Sequence, residues 1–539
     1  MAAVVDAALL QPQRAGGLVN ALLWLLLAVP LVGAAVVVGL PRLVPESIAA
    51  RIGAAVGAVT LVLAVVLAAA FDYGAAQRVQ FVTDVRWIPA IDVRWHLGVD
   101  GISLPMVLLT ALLAFLCLLY TTRIAPEVGR TRGLVGLVLL LEAGMLGTFV
   151  AFDLIVFFLF FEVVLIPMWF VIAVWGDPHD EEEGAGGDGR STSGGGVNTG
   201  RRRAATTFIL YTLLGSAIML LGFLLVYAQT GTFDITVLAE RGGRGIAMGA
   251  QVLAAVAIGL GLAVKSPLWP LHTWLPDAHA KAPTVGSVLL AGVLLKMGTY
   301  GFVRVWLPVV PDGARVVAPY LAGLATVGIL YGALACLRQT ELKRLVAYSS
   351  VGHMGFVLLG IATLTPVGVN GAIFAGVAHG LITGLLFFLA GAIKDRHGTG
   401  NLTDLGGGLY ARMPRLGGLF VFGAVASLGL PGLAGFWGEM LALFGAYQPD
   451  AALTRTTYAV LMVLAGLGAV LTAAYFLVLV RRMCQGEDTI GPRLSVVRDV
   501  TAIEVWTWAP LVALTIALGL YPKAVLALTT PAVELLVGR

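Results

Sequence analysis

Long apolar runs recur throughout the chain, and each is about the length that crosses a lipid bilayer. The hydrocarbon core of a membrane is about 30 Å thick, so a helix needs roughly 20 apolar residues to span it. Polar or glycine-rich loops separate the runs. The pattern predicts fourteen membrane-spanning helices, at about 18–40, 49–71, 102–120, 134–152, 154–175, 205–228, 246–276, 284–309, 316–337, 342–363, 369–394, 416–447, 456–481 and 505–529.

Two predicted spans are longer than a straight crossing requires. Spans 7 (246–276) and 12 (416–447) each exceed 30 residues, which is about 46 Å of helix at 1.5 Å per residue. Prolines lie in the middle of both, Pro267 and Pro270 in span 7 and Pro431 in span 12. Because proline breaks helical hydrogen bonding, we expect two broken helices whose freed backbone groups face protein or water.

The two broken spans are five helices apart, and this offset predicts a repeat of five helices. Spans 4 to 8 would form one copy and spans 9 to 13 the other. Because five is odd, the second copy enters the membrane in the opposite direction, as in inverted-topology repeats. The chain then divides into three N-terminal spans with a loop hairpin (1–133), the first repeat (134–315), the second repeat (316–482) and a C-terminal helix (483–539).

Two loops differ in composition from the rest. Residues 71–101 contain polar and β-branched residues in partial alternation, which predicts a small β-hairpin outside the membrane. Residues 177–203 are rich in glycine, serine and acidic residues and cannot bury a core, so we expect a disordered cytoplasmic insertion. Three consecutive arginines, 201–203, end this insertion and anchor the next span on the positive side.

Composition and charge agree with a bilayer environment. Hydrophobic residues make up 59% of the chain and charged residues 12%, which excludes an ordinary soluble domain. With the N-terminus outside, the inner loops hold about twice as many Lys and Arg residues as the outer loops, so both termini are predicted to be periplasmic in a bacterial inner membrane. The basic residues in loops give no sign of nucleic-acid binding. Three scattered cysteines, without a CxxC pair, favour neither an iron-sulfur cluster nor a disulfide framework.

Several ionisable residues fall inside the predicted spans, where charges are costly and are retained when they are paired or hydrated. Lys265 and Lys296 are the basic residues that are not assigned to a loop. In the repeat, Glu162 of span 5 corresponds to His353 of span 10, and Lys265 to Glu439. Glu142 in span 4 is a weaker candidate, expected at a lateral surface or a contact with another subunit. The candidate relay residues are Glu162, Lys265, Lys296, His353, His379 and Glu439.

Alternative roles for these residues exist. A structural ion pair that locks helix packing explains any single pair, but polar contacts stabilise membrane helices by only about 0.6 kcal/mol each. That is too little to offset several buried ions, so proton conduction through hydrated side chains explains the set better. Haem ligation by His353 and His379 would require a cofactor that a proton relay does not need.

Four segments carry a resemblance to a known family. They are FFEVVLIPMW, AVKSPLWPLHTWLPDAHAKAPTVGSVLLAGVLLKMGTYG, LKRLVAYSSVGHMG and LGLPGLAGFWGEM. They resemble the antiporter-like subunits of respiratory complex I over spans 3 to 13, and Mrp-type antiporter subunits are related to that group. Glu439, where L- and N-type members carry lysine, makes the M-type members the most similar.

The resemblance implies function and partners. It implies a proton-translocating membrane subunit of NADH:quinone oxidoreductase, which pairs Glu162 with Lys265 and continues through Lys296, His353 and His379 to Glu439. It implies that NADH, FMN, iron-sulfur clusters and quinone bind to partner subunits, with no redox active site, cofactor or metal on this chain. The expected partners are other complex I membrane subunits, especially the L and N subunits, and lipids. An Mrp-type cation/proton antiporter or membrane-bound hydrogenase subunit is the alternative, and a passive membrane scaffold is a third class.

Overall fold

The computed structural model describes residues 17–41, 43–123, 130–177, 199–485 and 498–538. Within these ranges, thirteen helices are long and apolar enough to cross a membrane. The prediction of an all-α polytopic membrane protein is confirmed.

The first part of the chain consists of helices and one two-stranded sheet. Its elements are α1 (Gly17–Gly39), α2 (Glu46–Ala70), β1 (Gln80–Ile88), β2 (Val93–Val99), α3 (Ser103–Thr121), α4 (Thr131–Val150), α5 (Leu154–Val163), α6 (Leu165–Trp175), α7 (Thr199–Thr230), α8 (Ile235–Arg241), α9 (Met248–Lys265), α10 (Trp274–Lys281), α11 (Thr284–Leu289), α12 (Leu295–Gly301) and α13 (Leu307–Val309).

π-Helical segments, Leu290–Leu294 and Phe302–Trp306, join α11, α12 and α13 into one span. The second part of the chain is helical. Its elements are α14 (Pro311–Leu337), α15 (Leu342–Ala362), α16 (Pro366–His397), α17 (Leu402–Leu405), α18 (Leu409–Arg412), α19 (Pro414–Ala426), α20 (Ala434–Tyr447), α21 (Arg455–Cys484), α22 (Ala502–Leu520) and α23 (Lys523–Val537).

Both predicted helix breaks occur. α9 ends at Lys265, and helical structure resumes at Trp274, beyond the two prolines. α19 ends at Ala426, and α20 begins at Ala434, on the far side of Pro431. This second break explains why thirteen spans are found in the described ranges where fourteen were predicted, since span 12 consists of two shorter helices.

The predicted hairpin is also confirmed. β1 and β2 pair antiparallel, with register irregularities at both ends of β1. The backbone amide of Phe152 donates to the carbonyl of His96 at 2.9 Å, so β2 contacts the junction of α4 and α5.

The helices differ strongly in how far they are enclosed by protein. In the most apolar stretch of each helix, 100% of the residues are buried in α16 and in the span Thr284–Val309, whereas 33% are buried in α2, α21 and α22. The first two therefore lie at the centre of the bundle, and the others lie at its outer surface. A charged group on a central helix is shielded from lipid, which lowers the cost of keeping it in the bilayer.

Two pairs of helix starts share one hydrogen-bond pattern. Asp153 caps α5 and Asp234 caps α8. The amide of the residue that follows the first cap donates to the carbonyl of the residue that precedes the second cap, at 2.9 Å. The reverse bond is also present, from the residue after the second cap to the residue before the first, at 2.8 Å. Glu341, which caps α15, and Asn401, which caps α17, are joined in the same way at 2.9 and 2.7 Å.

The predicted disordered insertion, 177–203, falls mainly on residues 178–198, which lie outside the described residues. Its last part is helical, because α7 begins at Thr199 and includes all three arginines. The limit at residue 203 was therefore wrong: these arginines form the first turns of α7 and do not precede it.

Candidate functional site

Lys296 lies on α12 and is fully buried at the centre of the protein. The π-helical segment Leu290–Leu294 precedes it. A π-helical turn shifts the backbone pairing by one residue and is common at functional sites. The Lys296 ammonium donates to a carbonyl of this segment, that of Ala291, and its Nζ lies 2.6 Å from Nδ1 of His379 on α16. The irregular backbone thus supplies an acceptor for a buried cation.

Two histidines connect Lys296 to a carboxylate. The ring of His379 packs edge to face against that of His353 on α15, with 5.6 Å between centroids. Nδ1 of His353 lies 3.0 Å from Oε1 of Glu439 on α20. Four helices thus place Lys296, His379, His353 and Glu439 in one row. Bridging water can make such a row a path of short proton transfers.

A cavity lies beside this row. Both imidazole rings and Glu439 line it, together with Thr383 and Ser427. Nε2 of each histidine is buried and has no hydrogen-bond partner among the described residues. Because an unpaired buried nitrogen is costly, we expect water in the cavity to complete these bonds.

The break between α19 and α20 brings the backbone against Glu439. Gly429 has a φ of +69°, and a Cβ at this position would lie 2.8 Å from Oε2 of Glu439. Gly432 in the same break has a φ of +93°, but a Cβ there would meet nothing within 4 Å. Glycine at 429 therefore meets two requirements, a left-handed backbone and space for the carboxylate.

Gly429→Ala is expected to reduce proton pumping about tenfold, the effect of roughly 1.4 kcal/mol, because the new Cβ displaces the Glu439 carboxylate from His353. Gly432→Ala is the matched control, since it imposes a similar backbone strain without touching Glu439. Pumping would be measured in membrane vesicles as acidification per NADH oxidised. Equal losses in both variants would show that strain alone, and not the carboxylate position, matters.

Glu162 and Lys265 form a separate and looser pair. Lys265 is 1% exposed at the C-terminal end of α9, and its Nζ lies 4.9 Å from the centroid of the Phe161 ring. The charges of Glu162 and Lys265 interact. In the described part of the chain, however, Nζ has no hydrogen-bond partner. The cation is therefore held by an aromatic face and a nearby carboxylate without a direct ion pair.

The structure does not join this pair to the central row by direct hydrogen bonds between described residues. Ser266, at the end of α9, has a buried Oγ that also lacks a partner among the described residues. A Cβ on Gly298 would lie 2.3 Å from this oxygen, so Ser266 contacts α12 two residues after Lys296. The sequence prediction passed over Ser266, although it directly follows Lys265.

Glu142 lies inside the protein, and the expected position at a lateral surface was wrong. Its side chain is fully buried, and both carboxylate oxygens lack a hydrogen-bond partner among the described residues. The reason is that α4 is itself enclosed, because neighbouring helices bury 83% of the residues in its most apolar stretch. Glu142 is therefore a carboxyl group enclosed within the bundle, without a hydrogen-bond partner among the described residues.

A buried ionic cluster was missed by the sequence prediction. Arg304 lies within the span Thr284–Val309 and is 4% exposed, so it is a further buried basic residue inside a span. It lies 2.5 Å from Asp100, which precedes α3, and its Nε donates to the hydroxyl of Tyr300 at 3.1 Å. Arg304 falls near the end of a predicted span, where sequence pattern does not separate loop from buried positions.

Two further buried histidines follow the first break. His272 packs against Tyr331 and Tyr348, and His279 stacks on Phe387 at 4.4 Å between centroids. The ring nitrogens of both lack partners in the described ranges. The sequence signal was present, because both lie in the motif PLHTWLPDAHAKAP. No group of three or more His, Cys, Asp or Glu residues in the described ranges is placed to hold a metal ion.

Comparison with known proteins places this arrangement in a family. A family model described as NADH:quinone oxidoreductase/Mrp antiporter, TM, matches residues 196–472. The chain is 41% identical over 485 residues to NADH-quinone oxidoreductase subunit M of Rhodobacter capsulatus, and the match covers 88% of each chain. The chain belongs to this family. The predicted resemblance to complex I antiporter-like subunits is therefore confirmed.

Solved structures extend the comparison to the fold. A chain of respiratory complex I from Thermus thermophilus with bound NADH matches with a TM-score of 0.79 at 30% identity, over 95% of this chain and 99% of that chain. A chain of the Mrp complex from a Dietzia species matches with a TM-score of 0.78 at 24% identity, over 96% and 97%, and shares the fold. The region that matches the NADH:quinone oxidoreductase/Mrp antiporter family contains Lys265, Lys296, both relay histidines and Glu439, whereas Glu162 precedes it.

Proposed function

We propose that this chain carries protons across the membrane as an M-type antiporter-like subunit of an NADH:quinone oxidoreductase. The observation that carries the proposal is the row Lys296, His379, His353 and Glu439, which four helices hold within hydrogen-bond or ring contact. The row lies beside a cavity lined by both histidines and Glu439, and α12, α15 and α16 are largely enclosed by protein. These are the conditions under which ionisable groups in a bilayer conduct protons.

The Glu162–Lys265 pair acts as the switch in this proposal. A nearby carboxylate favours the protonated ammonium, and its withdrawal favours proton release, because a buried charge without a partner is costly. Since Lys265 has no direct partner in the described residues, a small movement of Glu162 changes the balance. Quinone reduction in neighbouring subunits would alter this pair, and the released proton would pass to Lys296 and along the row to Glu439.

The inverted repeat is part of the proposal, and the two pairs of capped helix starts support it. In each pair an acidic residue caps a helix that carries a relay residue, Glu162 on α5 or His353 on α15. The residues that flank each cap are hydrogen-bonded to those that flank the cap of a short helix, α8 or α17. Each repeat then continues to a broken helix. The proposed units are 134–315 and 316–482, flanked by 1–133 and 483–539.

The proposal includes location and partners. The positive-inside count favours a bacterial inner membrane with both termini in the periplasm. The chain would assemble with other complex I membrane subunits, especially L and N subunits, while NADH, FMN, iron-sulfur clusters and quinone bind elsewhere in the complex. An Mrp-type antiporter subunit remains the second candidate, because the Mrp chain shares the fold.

His379→Leu tests the row, because it removes the group between Lys296 and His353 while keeping an apolar side chain of moderate size. Pumping is expected to fall at least about tenfold, since positioned acid–base groups contribute on the order of 10² or more to proton transfer. His397→Leu is the matched control on the same helix, at a histidine outside the row. Proton uptake and NADH oxidation would be measured with the assembled complex. Equal pumping in both variants would contradict the proposed path.

A further inference from the structure

Asp153 lies where the β-hairpin, α5 and the turn before α8 meet. Its Oδ1 accepts hydrogen bonds from the amides of Ile155 and Val156, at 2.8 and 3.1 Å, and so caps α5. Its Oδ2 accepts from the amide of Arg94 on β2 at 3.1 Å. One fully buried carboxylate therefore fastens the start of α5 to the hairpin.

The helix that Asp153 fastens carries Glu162. Nine residues separate the two, which is about 13.5 Å along the axis at 1.5 Å per residue. α5 is continuous from Leu154 to Val163, so a movement at its first turn is transmitted to Glu162. The distance between Glu162 and Lys265 therefore depends on the position of α5.

Charged groups lie around Asp153 on the hairpin and on the turn before α8, whereas the first turn of α5 carries none. β2 contributes Arg94 and His96, and the turn before α8 contributes Asp234. Nδ1 of His96 lies 2.9 Å from Oδ2 of Asp234. Arg94 is also paired with Asp84 on β1, and Asp92 in the hairpin turn accepts from the hydroxyl of Thr232 at 3.1 Å.

The two caps of this cluster differ in how readily they take a proton. Burial raises the pKa of Asp153 to about 6, against the opposing effect of its three backbone hydrogen bonds. Burial acts in the same direction on Asp234, but the hydrogen bond and charge of His96 outweigh it and lower the pKa of that carboxyl. Asp153 therefore changes charge near neutral pH, while Asp234 stays ionised.

Protonation removes a specific contact of Asp153. An ionised carboxylate accepts at both oxygens, whereas a neutral carboxyl group has one hydroxyl oxygen that donates. With Oδ1 still capping α5, the hydroxyl is at Oδ2 and faces the Arg94 amide, itself a donor. The tie between hairpin and helix is thus present above a pH of about 6 and lost as the pH falls through that value.

We infer that Asp153 is a positioning residue for Glu162 and that it releases α5 from the β-hairpin when the compartment on the hairpin side becomes acidic. The proposed topology places the hairpin in the periplasm, the compartment into which protons are pumped. The device would weaken coupling when the opposing proton gradient is already large. This inference rests on the proposed role of Glu162 and Lys265 in pumping.

Asp153→Asn separates the tie from the cap, because an asparagine oxygen still caps α5 while its amide group faces the Arg94 amide as a second donor. The variant therefore imitates the protonated carboxyl at every pH. Protons pumped per NADH oxidised would be measured with equal pH on both sides, from about pH 7.5 to about pH 5.5. The wild type is expected to lose coupling about two- to tenfold around pH 6, the effect of one lost hydrogen bond. The Asp153→Asn variant should pump, at every pH, the low number of protons per NADH that the wild type reaches at acid pH.

Glu341→Gln is the matched control, since Glu341 caps α15 in the corresponding position of the second repeat. It should keep the wild-type acid response. An acid response that survives Asp153→Asn would belong to another group and would overturn the inference. Lys265→Ala in the same vesicles separates the two proposals. If the Lys265→Ala complex pumps normally, the proposed function fails. If Lys265→Ala loses pumping but Asp153→Asn keeps the wild-type pH dependence of pumping, only the inference about Asp153 fails.

Discussion

Lys265→Ala is expected to abolish proton pumping while the complex still assembles. In the proposed switch the ammonium at the end of α9 responds to the Glu162 charge, and alanine carries no proton. Its loss breaks no hydrogen bond, because in the described residues Nζ makes none. Pumping would be followed by vesicle acidification during NADH oxidation, and assembly by native electrophoresis. Lys523→Ala, at an exposed lysine that begins α23, is the control.

Undiminished pumping by Lys265→Ala would defeat the proposed switch. A loss of pumping together with a loss of assembly would favour the scaffold alternative, in which buried charges hold the helices together. The account predicts assembled complexes that do not pump, and Lys523→Ala complexes that pump normally.

Lys296→Met is expected to abolish pumping without lowering stability. Methionine has a similar length and removes the charge, so protons cannot pass between the switch and His379. Removing one member of a buried ion pair usually costs about 3–5 kcal/mol, because it leaves the other charge uncompensated. Here the partners are an imidazole and a carbonyl, so no opposite charge remains. The two lost hydrogen bonds are offset because the desolvation penalty of the buried ammonium, on the order of several kcal/mol, is removed with it.

The thermal unfolding midpoint of the purified complex, measured beside the pumping rate, distinguishes the two roles of Lys296. If Lys296 carries protons, Lys296→Met abolishes pumping and leaves the unfolding midpoint unchanged or raises it. A structural ion pair gives a lower midpoint, and that result would contradict the relay.

Much of the architecture could be predicted because it depends on local pattern. Apolar runs defined the spans, and prolines at mid-span located both helix breaks, next to Lys265 and near Glu439. The loop hairpin followed from its polar and β-branched residues. Ionisable residues within the spans stood out because charge is rare in a bilayer.

The neighbours of these residues could not be predicted in the same way. Lys296 and His379 are 83 residues apart in sequence, and His353 and Glu439 are 86 apart, so periodicity says nothing about their contact. Glu142 was misplaced for the same reason, since a helical pattern does not reveal which helices enclose α4. Arg304 lies at a span end, where only the contact with Asp100 shows that it is buried.

The matched caps show a different limit. Asp153 and Glu341 are ordinary helix-capping residues in the sequence, and their spacing from Glu162 and His353 differs by three residues. The correspondence becomes visible through the hydrogen bonds to the starts of α8 and α17. Such pairings depend on loops that are distant in sequence, which local propensity does not encode.

The central claim is that water connects the Lys265 end of the broken helix to Lys296 and the histidine row. Cryo-electron microscopy of the assembled complex, at a resolution that shows ordered water, tests it directly. We expect water molecules that bridge Nζ of Lys265, Oγ of Ser266 and Nζ of Lys296 in at least one state of the enzyme. Dry apolar packing between Lys265 and Lys296 in every state would contradict the account.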